Sequence, residues 1–477
     1  MSNNLLGAKD IVFMNVIGIL SLRQIPNVAP YGASAMILWI IAAFCFFIPL
    51  AMVCGELSTA WPKDGGIFVW IKEAFGKKMG WIATVCYLFS CVIFFPMMLQ
   101  FAFAAIAYLM PKELTDNAIF MKYFIGIGSI VMFCVLTFLN ILGMKWTKII
   151  NSISAYCGIF IPTALIIILA FLWLLSGYSM QSKYEFSLDN YLPNLSDWNT
   201  IVFASSMMFA FAGLEISGMV AGRTANPQKD FPRAMFYSAI CIVGIYMVGT
   251  WALNTIYPSD KTDIVEGITQ AIAFAGNALS MPWLLQIIAI CLFVGVVGQV
   301  NSWLVGPIYM LQEASKEDKI LGDGISKLHP KYQTPHKALI YQAIIVCVLC
   351  LSTFLSESIA KAYWFLTALT TICYFIPYLI MFPAFIYLRK IKPDVHRVFK
   401  IPGKILPIIF PVLGFLSVSF AVFLIFIPPA ELSSNDATFI DKFWYFFKIF
   451  LGGVIAIATA LITYSMALKR NDINKGE

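Results

Sequence analysis

Residues 201–234 read IVFASSMMFAFAGLEISGMVAGRTANPQKDFPRA. The stretch begins as an apolar span, but the small, pliable run Phe209-Ala210-Phe211-Ala212-Gly213 falls at mid-membrane depth. Glu215 follows at once, and a polar, positively charged exit ends the segment. Lipid cannot hydrogen-bond a freed backbone, so a broken helix at that depth persists only where protein packs around it or where it lines a watery cavity. A carboxylate inside a membrane marks a functional site by default. Together the two features point to a transport site rather than to an anchor.

A second candidate interruption lies near the start of the chain. Gly18-Ile19-Leu20-Ser21-Leu22-Arg23-Gln24 sits inside an apolar run, with Pro26 and Pro30 just beyond. Two interrupted helices five spans apart are the pointer to an inverted-repeat transporter with its site at the midplane. An Arg near the bilayer centre costs about 2.5–3.5 kcal/mol on insertion scales, so Arg23 needs a partner. It could snorkel outward or pair with a carbonyl, or it could face the cavity, opposite Glu215 or a substrate carboxylate. Residues 209–213 are read as unwound, against the alternative of a tightly packed small-residue helix interface. Glu215 could take up a coupling proton, or serve as a fixed partner of Arg23.

Composition agrees with a membrane protein crossing many times. The 477 residues are 60% hydrophobic and 12% charged, against about 25% charged in soluble domains. Twelve spans are expected, near 11–32, 35–57, 81–110, 121–142, 148–176, 199–221, 235–257, 283–313, 338–355, 361–388, 405–428 and 442–468, each of about the twenty residues needed to cross. The fold class is therefore all-α integral membrane, one transmembrane domain over residues 1–477. With both termini inside, the inner segments carry 24 of the 32 Lys and Arg and the outer connections seven, as the positive-inside rule requires. The net charge of +7 thus reports orientation in a bacterial inner or plasma membrane and not a nucleic-acid partner. The first apolar run lacks a basic leader and a cleavage site, so it is expected to stay.

Several features are read as structural. All eleven Cys lie in apolar spans, and Cys347 and Cys350 are two small side chains on one helix face. The three His lie in hydrophilic connections, so no metal, cofactor or His-based catalytic site is expected. Trp39, Trp81, Trp146 and Trp173 are assigned to interface belts or lipid packing. Residues 58–80 hold an apolar run, Ile67 to Ile71, that would be costly in water and predicts a short interfacial or re-entrant element. The outer segments 177–198 and 258–282 contain short amphipathic pieces such as DIVEGITQAIAFAG, and Asn194-Leu195-Ser196 is a glycosylation sequon. In span eight, Gln299, Asn301 and Ser302 could line the cavity or bind neighbouring helices.

At these residues the chain resembles the amino acid–polyamine–organocation superfamily, and within it the glutamate/GABA antiporter-type permeases. GELSTAWPKDGGIFVWIKEAFG after span two and AFAGLEISGMVAGRTANPQKDFPRA in span six are similar to the family's two signatures. SLRQIPNVAPYGAS, CGIFIP around Pro162 and NSWLVGP around Pro307 resemble the antiporter branch, and the likeness covers nearly the whole chain. The resemblance implies a LeuT-type fold with inverted repeats at 11–176 and 199–388 and two further helices at 405–468. It also implies alternating access, with Gly18 to Ser21 and Phe209 to Gly213 holding the substrate backbone and Glu215 as the span-six acid.

Departures from the family are specific. Many relatives carry a Glu pair where this chain reads Ala221-Gly222-Arg223. Some proton-coupled relatives place a Lys in span five, near Gly158 here, which leans towards exchange. Arg23 replaces an aromatic or small residue, and would favour a substrate with a second carboxylate. The nine residues after Leu468 are not expected to form a self-plugging domain. The expected activity is amino-acid exchange or proton-linked uptake, with sodium symport as the alternative, using Ser21 and Ser302 among its ligands. An integral-membrane enzyme would need a nucleophile–base pairing that does not stand out, and a non-transporting receptor is disfavoured.

Overall fold

The computed structural model describes residues 5–182, 192–193, 207–258, 261, 267–316, 319–354, 359–427 and 439–476. Residues 199–206 of the sixth expected span, Asp263 to Glu266 and the Asn194 sequon lie outside them. Among the described residues no β-strand occurs. Two isolated β-bridges occur among them, Leu6 with Thr224 and Asp64 with Val220.

Nine described helices are long and apolar enough to cross a membrane: Ser34–Ala60, Lys77–Leu109, Ala118–Ile141, Met144–Leu175, Pro227–Ile256, Leu284–Lys316, Ala368–Ile391, Leu406–Ile425 and Phe443–Asn471. Each corresponds to an expected span. The other three expected spans differ in kind. His336–Cys350 is an apolar helix of fifteen residues, and the first and sixth are the interrupted segments. We number the elements used below α1 (Ala8–Ile19), α2 (Ser34–Ala60), α3 (Ile67–Phe75), α4 (Lys77–Leu109), α5 (Ala118–Ile141), α6 (Met144–Leu175), α7 (Glu215–Gly218), α8 (Pro227–Ile256), α9 (Leu284–Lys316), α10 (His336–Cys350), α11 (Ile359–Ile391) and α12 (Leu406–Ile425).

Long apolar runs become helices because each backbone group must then find its partner within the segment. Where proline prevents this, neighbours compensate. In α2 a wide turn at Ala43–Phe47 precedes Pro49, which has no N–H to give the carbonyl of Cys45. The hydroxyl of Ser417, on α12, donates to that carbonyl at 2.9 Å. A matching wide turn at Tyr156–Phe160 precedes Pro162 in α6. There α6 crosses α9 at Gly158 and Gly295, where a Cβ on Gly158 would stand 2.2 Å from the Gly295 Cα. The backbones touch, so a lysine at position 158 has no room.

Three of the four tryptophans assigned to membrane belts are interior. Trp39, Trp81 and Trp173 are buried, while Trp146 is exposed. Burial of an indole requires a partner for its N–H. Thr250 Oγ1, Thr463 Oγ1 and the Ser179 carbonyl accept at 3.0, 2.9 and 2.9 Å respectively. The short element expected within 58–80 is the helix α3, with Ile67 to Ile71 all buried. Phe75 stacks on Tyr387 of α11, and Glu73 pairs with Lys392 just beyond it. At the end of α2, Glu56 is fully buried and takes Arg389 through both oxygens, Arg397 at 3.3 Å and the Ile401 N–H at 2.8 Å. This cluster ties the connection after α11 to α2.

Candidate functional site

Both expected interruptions are present and they meet. Helix α1 stops at Ile19, Leu20 is extended (φ −74°, ψ 116°), and a new helical turn starts at Gln24. In the sixth segment residues 207–210 are helical, 211–214 are not, and α7 starts at Glu215. Gly213 sits at φ +131°, a conformation other residues rarely adopt, and a Cβ there would stand 3.0 Å from the Ile19 side chain. The two breaks therefore lie against one another.

Freed carbonyls at the breaks are held by side chains from two long helices. Trp303 Nε1 and Gln299 Nε2, on α9, donate to the Gly18 carbonyl at 2.7 and 3.2 Å. The Tyr246 hydroxyl, on α8, lies 3.1 Å from the Ile19 carbonyl and 3.2 Å from that of Ala210, and accepts the Ser21 N–H at 3.2 Å. Tyr246 is itself fixed by a near-parallel stack on Trp39, ring centroids 4.4 Å apart. One phenol thus bridges both interruptions.

Glu215 is fully buried and caged by tyrosines. Tyr87 and Tyr374 reach Oε1 at 2.6 and 2.7 Å, and Tyr378 reaches Oε2 at 2.5 Å. The Tyr374 and Tyr378 hydroxyls are also 2.6 Å apart. These are four oxygen–oxygen contacts served by three hydroxyl protons. An ionised Glu215 leaves one contact without a proton, whereas a proton on the carboxyl fills all four.

The other expected site residues divide. Arg23 is not one of the groups that hold Glu215. It lines a separate small cavity of about 40 Å³ with Phe101, Tyr108, Thr269 and Leu292, its guanidinium 5.7 Å from the Phe101 ring centre. A second cavity, lined by Ser21, Arg23, Phe101 and Gln299, adjoins that one through shared residues. Phe209 packs edge-on to Tyr374. Phe211 lies in an aromatic cluster with Phe47, Trp39 and Tyr246, so it offers the cavity backbone and not a ring. Asn301 joins helices, accepting from Asn140 at 2.7 Å and donating to Asn151 at 2.8 Å. Ser302 lies beside Gly18, its buried hydroxyl without a hydrogen-bond partner among the described residues.

The segment before the first break is tied to the segment after the second. Leu6 exchanges backbone hydrogen bonds with Arg223 and Ala225, both 2.8 Å. The Arg223 guanidinium lies 4.1 Å from the Tyr309 ring centre, 3.3 Å from the Asp64 carboxylate, and donates to the Gln333 carbonyl at 3.0 Å. Burial pushes the Asp64 carboxyl above the usual carboxylate range, with Arg223 pulling the other way. Arg223 therefore forms a cationic latch with Asp64, Tyr309 and Gln333.

Sequence reasoning passed over Tyr87, Tyr246, Trp303, Tyr374 and Tyr378. Aromatics with polar tips are common in membrane spans, and nothing local marks the few that point inward. One signal existed. Tyr374 and Tyr378 are four apart and so share a helix face.

With this geometry described, comparison with known proteins is direct. The sequence profile of the "Amino acid permease" family matches residues 6–465. An uncharacterised transporter of Legionella pneumophila is 34% identical over 95% of both chains. A glutamate/gamma-aminobutyrate antiporter of Lactococcus lactis is 26% identical over 88% of this chain and 83% of its own. A branched-chain amino acid permease of Bacillus subtilis is 23% identical over 83% and 80%. The chain belongs to the amino acid permease family, within the amino acid–polyamine–organocation superfamily.

Proposed function

We propose that the chain is a secondary amino-acid exchanger working by alternating access, built as inverted repeats at 11–176 and 199–388 with two further helices at 405–468. What supports it most is the meeting of the two helix breaks beside the caged Glu215. Their freed N–H groups suit a carboxylate and their carbonyls an ammonium. A zwitterionic amino acid presents both. In this reading Gly18, Ile19, Leu20 and Ser21 of the first break and Phe209, Ala210, Phe211, Ala212 and Gly213 of the second hold the substrate backbone, and each carbonyl keeps a second lone pair for an incoming donor. Both termini lie in the cytoplasm on the Lys and Arg distribution.

Glu215 is the proton-carrying group in this reading. Its tyrosine cage ties α7 to α4 and α11, so a change of charge on the carboxyl changes how tightly those helices are held. Exchange would need no net proton movement, whereas uphill uptake would draw on it.

The test is reconstitution into proteoliposomes preloaded with each common amino acid and each decarboxylated amine in turn. Labelled substrate should enter only when an exchangeable partner is inside. Glu215→Gln should keep exchange but lose its dependence on pH. A protein that binds an amino acid and never moves it is a receptor instead, and a wild-type pH profile in Glu215→Gln removes that residue from coupling.

A further inference from the structure

Asn301 closes a ring of side-chain hydrogen bonds that runs through three helices. The Thr147 hydroxyl, on α6, donates to Asn140 Oδ1 at 2.6 Å. Asn140 Nδ2, on α5, donates to Asn301 Oδ1 at 2.7 Å and to the Leu136 carbonyl at 2.8 Å. Asn301 Nδ2, on α9, donates to Asn151 Oδ1 at 2.8 Å, back on α6 one turn after Thr147. All four side chains are buried. Every link runs the same way round. Asn140 and Asn301 must each donate and accept, whereas Asn151 need only accept.

The ring lies away from the breaks, but Asn301 shares α9 with the two donors that hold the Gly18 carbonyl. Gln299 and Trp303 are four apart and lie on one face, and Asn301 is turned about 200° from each. Between helices in lipid the hydrophobic effect sets no rotation, because lipid tails are as apolar as the side chains they replace; packing and hydrogen bonds decide it. Gly298 brings α9 close to α6, where a Cβ on it would stand 2.1 Å from the Ser154 Cβ. A glycine contact permits close approach but carries no direction. The amide ring does carry one, since it grips Asn301 from two neighbouring helices at once.

We propose that Asn301 is a positioning residue: held by Asn140 and Asn151, it fixes the rotation of α9 and so aims Gln299 and Trp303 at the Gly18 carbonyl of the first break. The inference rests on the transporter reading above and adds to it a residue that shapes the substrate site without touching substrate.

Two double-mutant cycles on the full-length protein test it. Asn301 and Trp303 are two apart and point away from one another, so independent roles would make the melting-temperature losses of Asn301→Leu and Trp303→Phe add in detergent. Positioning predicts that Trp303→Phe costs nothing further in the Asn301→Leu background. In proteoliposomes, Asn301→Leu should raise the amino-acid concentration giving half-maximal exchange roughly tenfold, with the maximal rate little changed. In the Trp303→Phe background the same substitution should raise it less than about threefold. Asn151→Leu should act in the same direction. Asn151→Asp, which keeps the acceptor, should restore the wild-type value, and Asn140→Asp, which removes the donor, should not.

Additive melting-temperature losses assign the ring to helix packing alone and overturn the proposal. A wild-type half-maximal concentration in Asn301→Leu, or a rise undiminished in the Trp303→Phe background, does the same. Equal values for Asn151→Leu and Asn151→Asp also overturn it. Where Asn301→Leu does not fold, Asn151→Leu takes its place in both cycles. If the wild type exchanges no amino acid at all, the transporter reading fails, and the melting-temperature cycle still decides the positioning role by itself.

Discussion

The indole N–H of Trp303 points at the carbonyl oxygen of Gly18, 2.7 Å away, and so joins the middle of α9 to the last turn of α1. Gln299, one helical turn earlier, shares that carbonyl at 3.2 Å. The Trp303 ring also lies 5.2 Å from that of Tyr374, which holds Glu215. Trp303 therefore touches both the first break and the tyrosine cage. Trp303→Phe keeps most of the ring and removes the donor. With Gln299 still in place the cost should be about 1 kcal/mol, read as a several-fold rise in the substrate concentration giving half-maximal exchange. An unchanged value would mean that the indole fills space and does not hold the carbonyl.

Arg23 lines its own cavity beside the first break, apart from Glu215. If that guanidinium receives the second carboxylate of an acidic substrate, Arg23→Ala should abolish exchange of glutamate and aspartate and leave neutral amino acids unaffected. Competition between labelled acidic and neutral substrates in one vesicle preparation measures this. Equal losses for both classes would leave Arg23 a structural role only.

The Asp64–Arg223 latch should show in the pH dependence of stability. Burial raises the Asp64 carboxyl in the folded protein above its unfolded value. Between those two values the folded state binds more protons than the unfolded state, so stability falls as pH rises through that window and is flat above it. Asp64→Asn cannot titrate and should remove this part of the slope. Melting temperatures across the mildly acidic range, wild type against variant, provide the comparison, and parallel curves would show that Asp64 titrates alike in both states.

Glu56 is the anchor of the connection after α11. Its side chain is 1% exposed and bound by Arg389 and Arg397. Removing one partner from a buried ion cluster costs about 3–5 kcal/mol because the remaining charges are left uncompensated. Glu56→Ala should lower the melting temperature in detergent sharply, while Arg397→Ala, which leaves the Arg389 fork intact, should lower it less. Similar small shifts for both would place the cluster in a wetter setting than its burial implies.

Much of the architecture was legible because membrane physics writes it into composition. Spans corresponding to the nine long helices follow from apolar length alone, and the interruptions at Gly18–Arg23 and Phe209–Gly213 follow from small residues and charge at a depth where neither is neutral. Glu215 was identifiable for the same reason. The charges alone left open whether Arg23 faces Glu215, a carbonyl or a substrate carboxylate; in the structure Glu215 is held by three tyrosines and Arg23 lines a separate cavity. Nor did Trp39, Trp81 and Trp173 carry any local mark distinguishing an interior indole from a membrane belt.

By itself the sequence determined an all-helical membrane chain of the amino acid permease family, broken in its first and sixth segments, with a carboxylate at the second break. Only the tertiary structure decided what meets those breaks. Tyr246, Trp303 and the tyrosines around Glu215 lie tens to hundreds of residues from the groups they bind, on helices whose rotation is set by contacts such as Gly158 against Gly295. Hydropathy records how deep a side chain lies along its helix. Which way it faces depends on how neighbouring helices interlock, and that is a property of packing between distant segments.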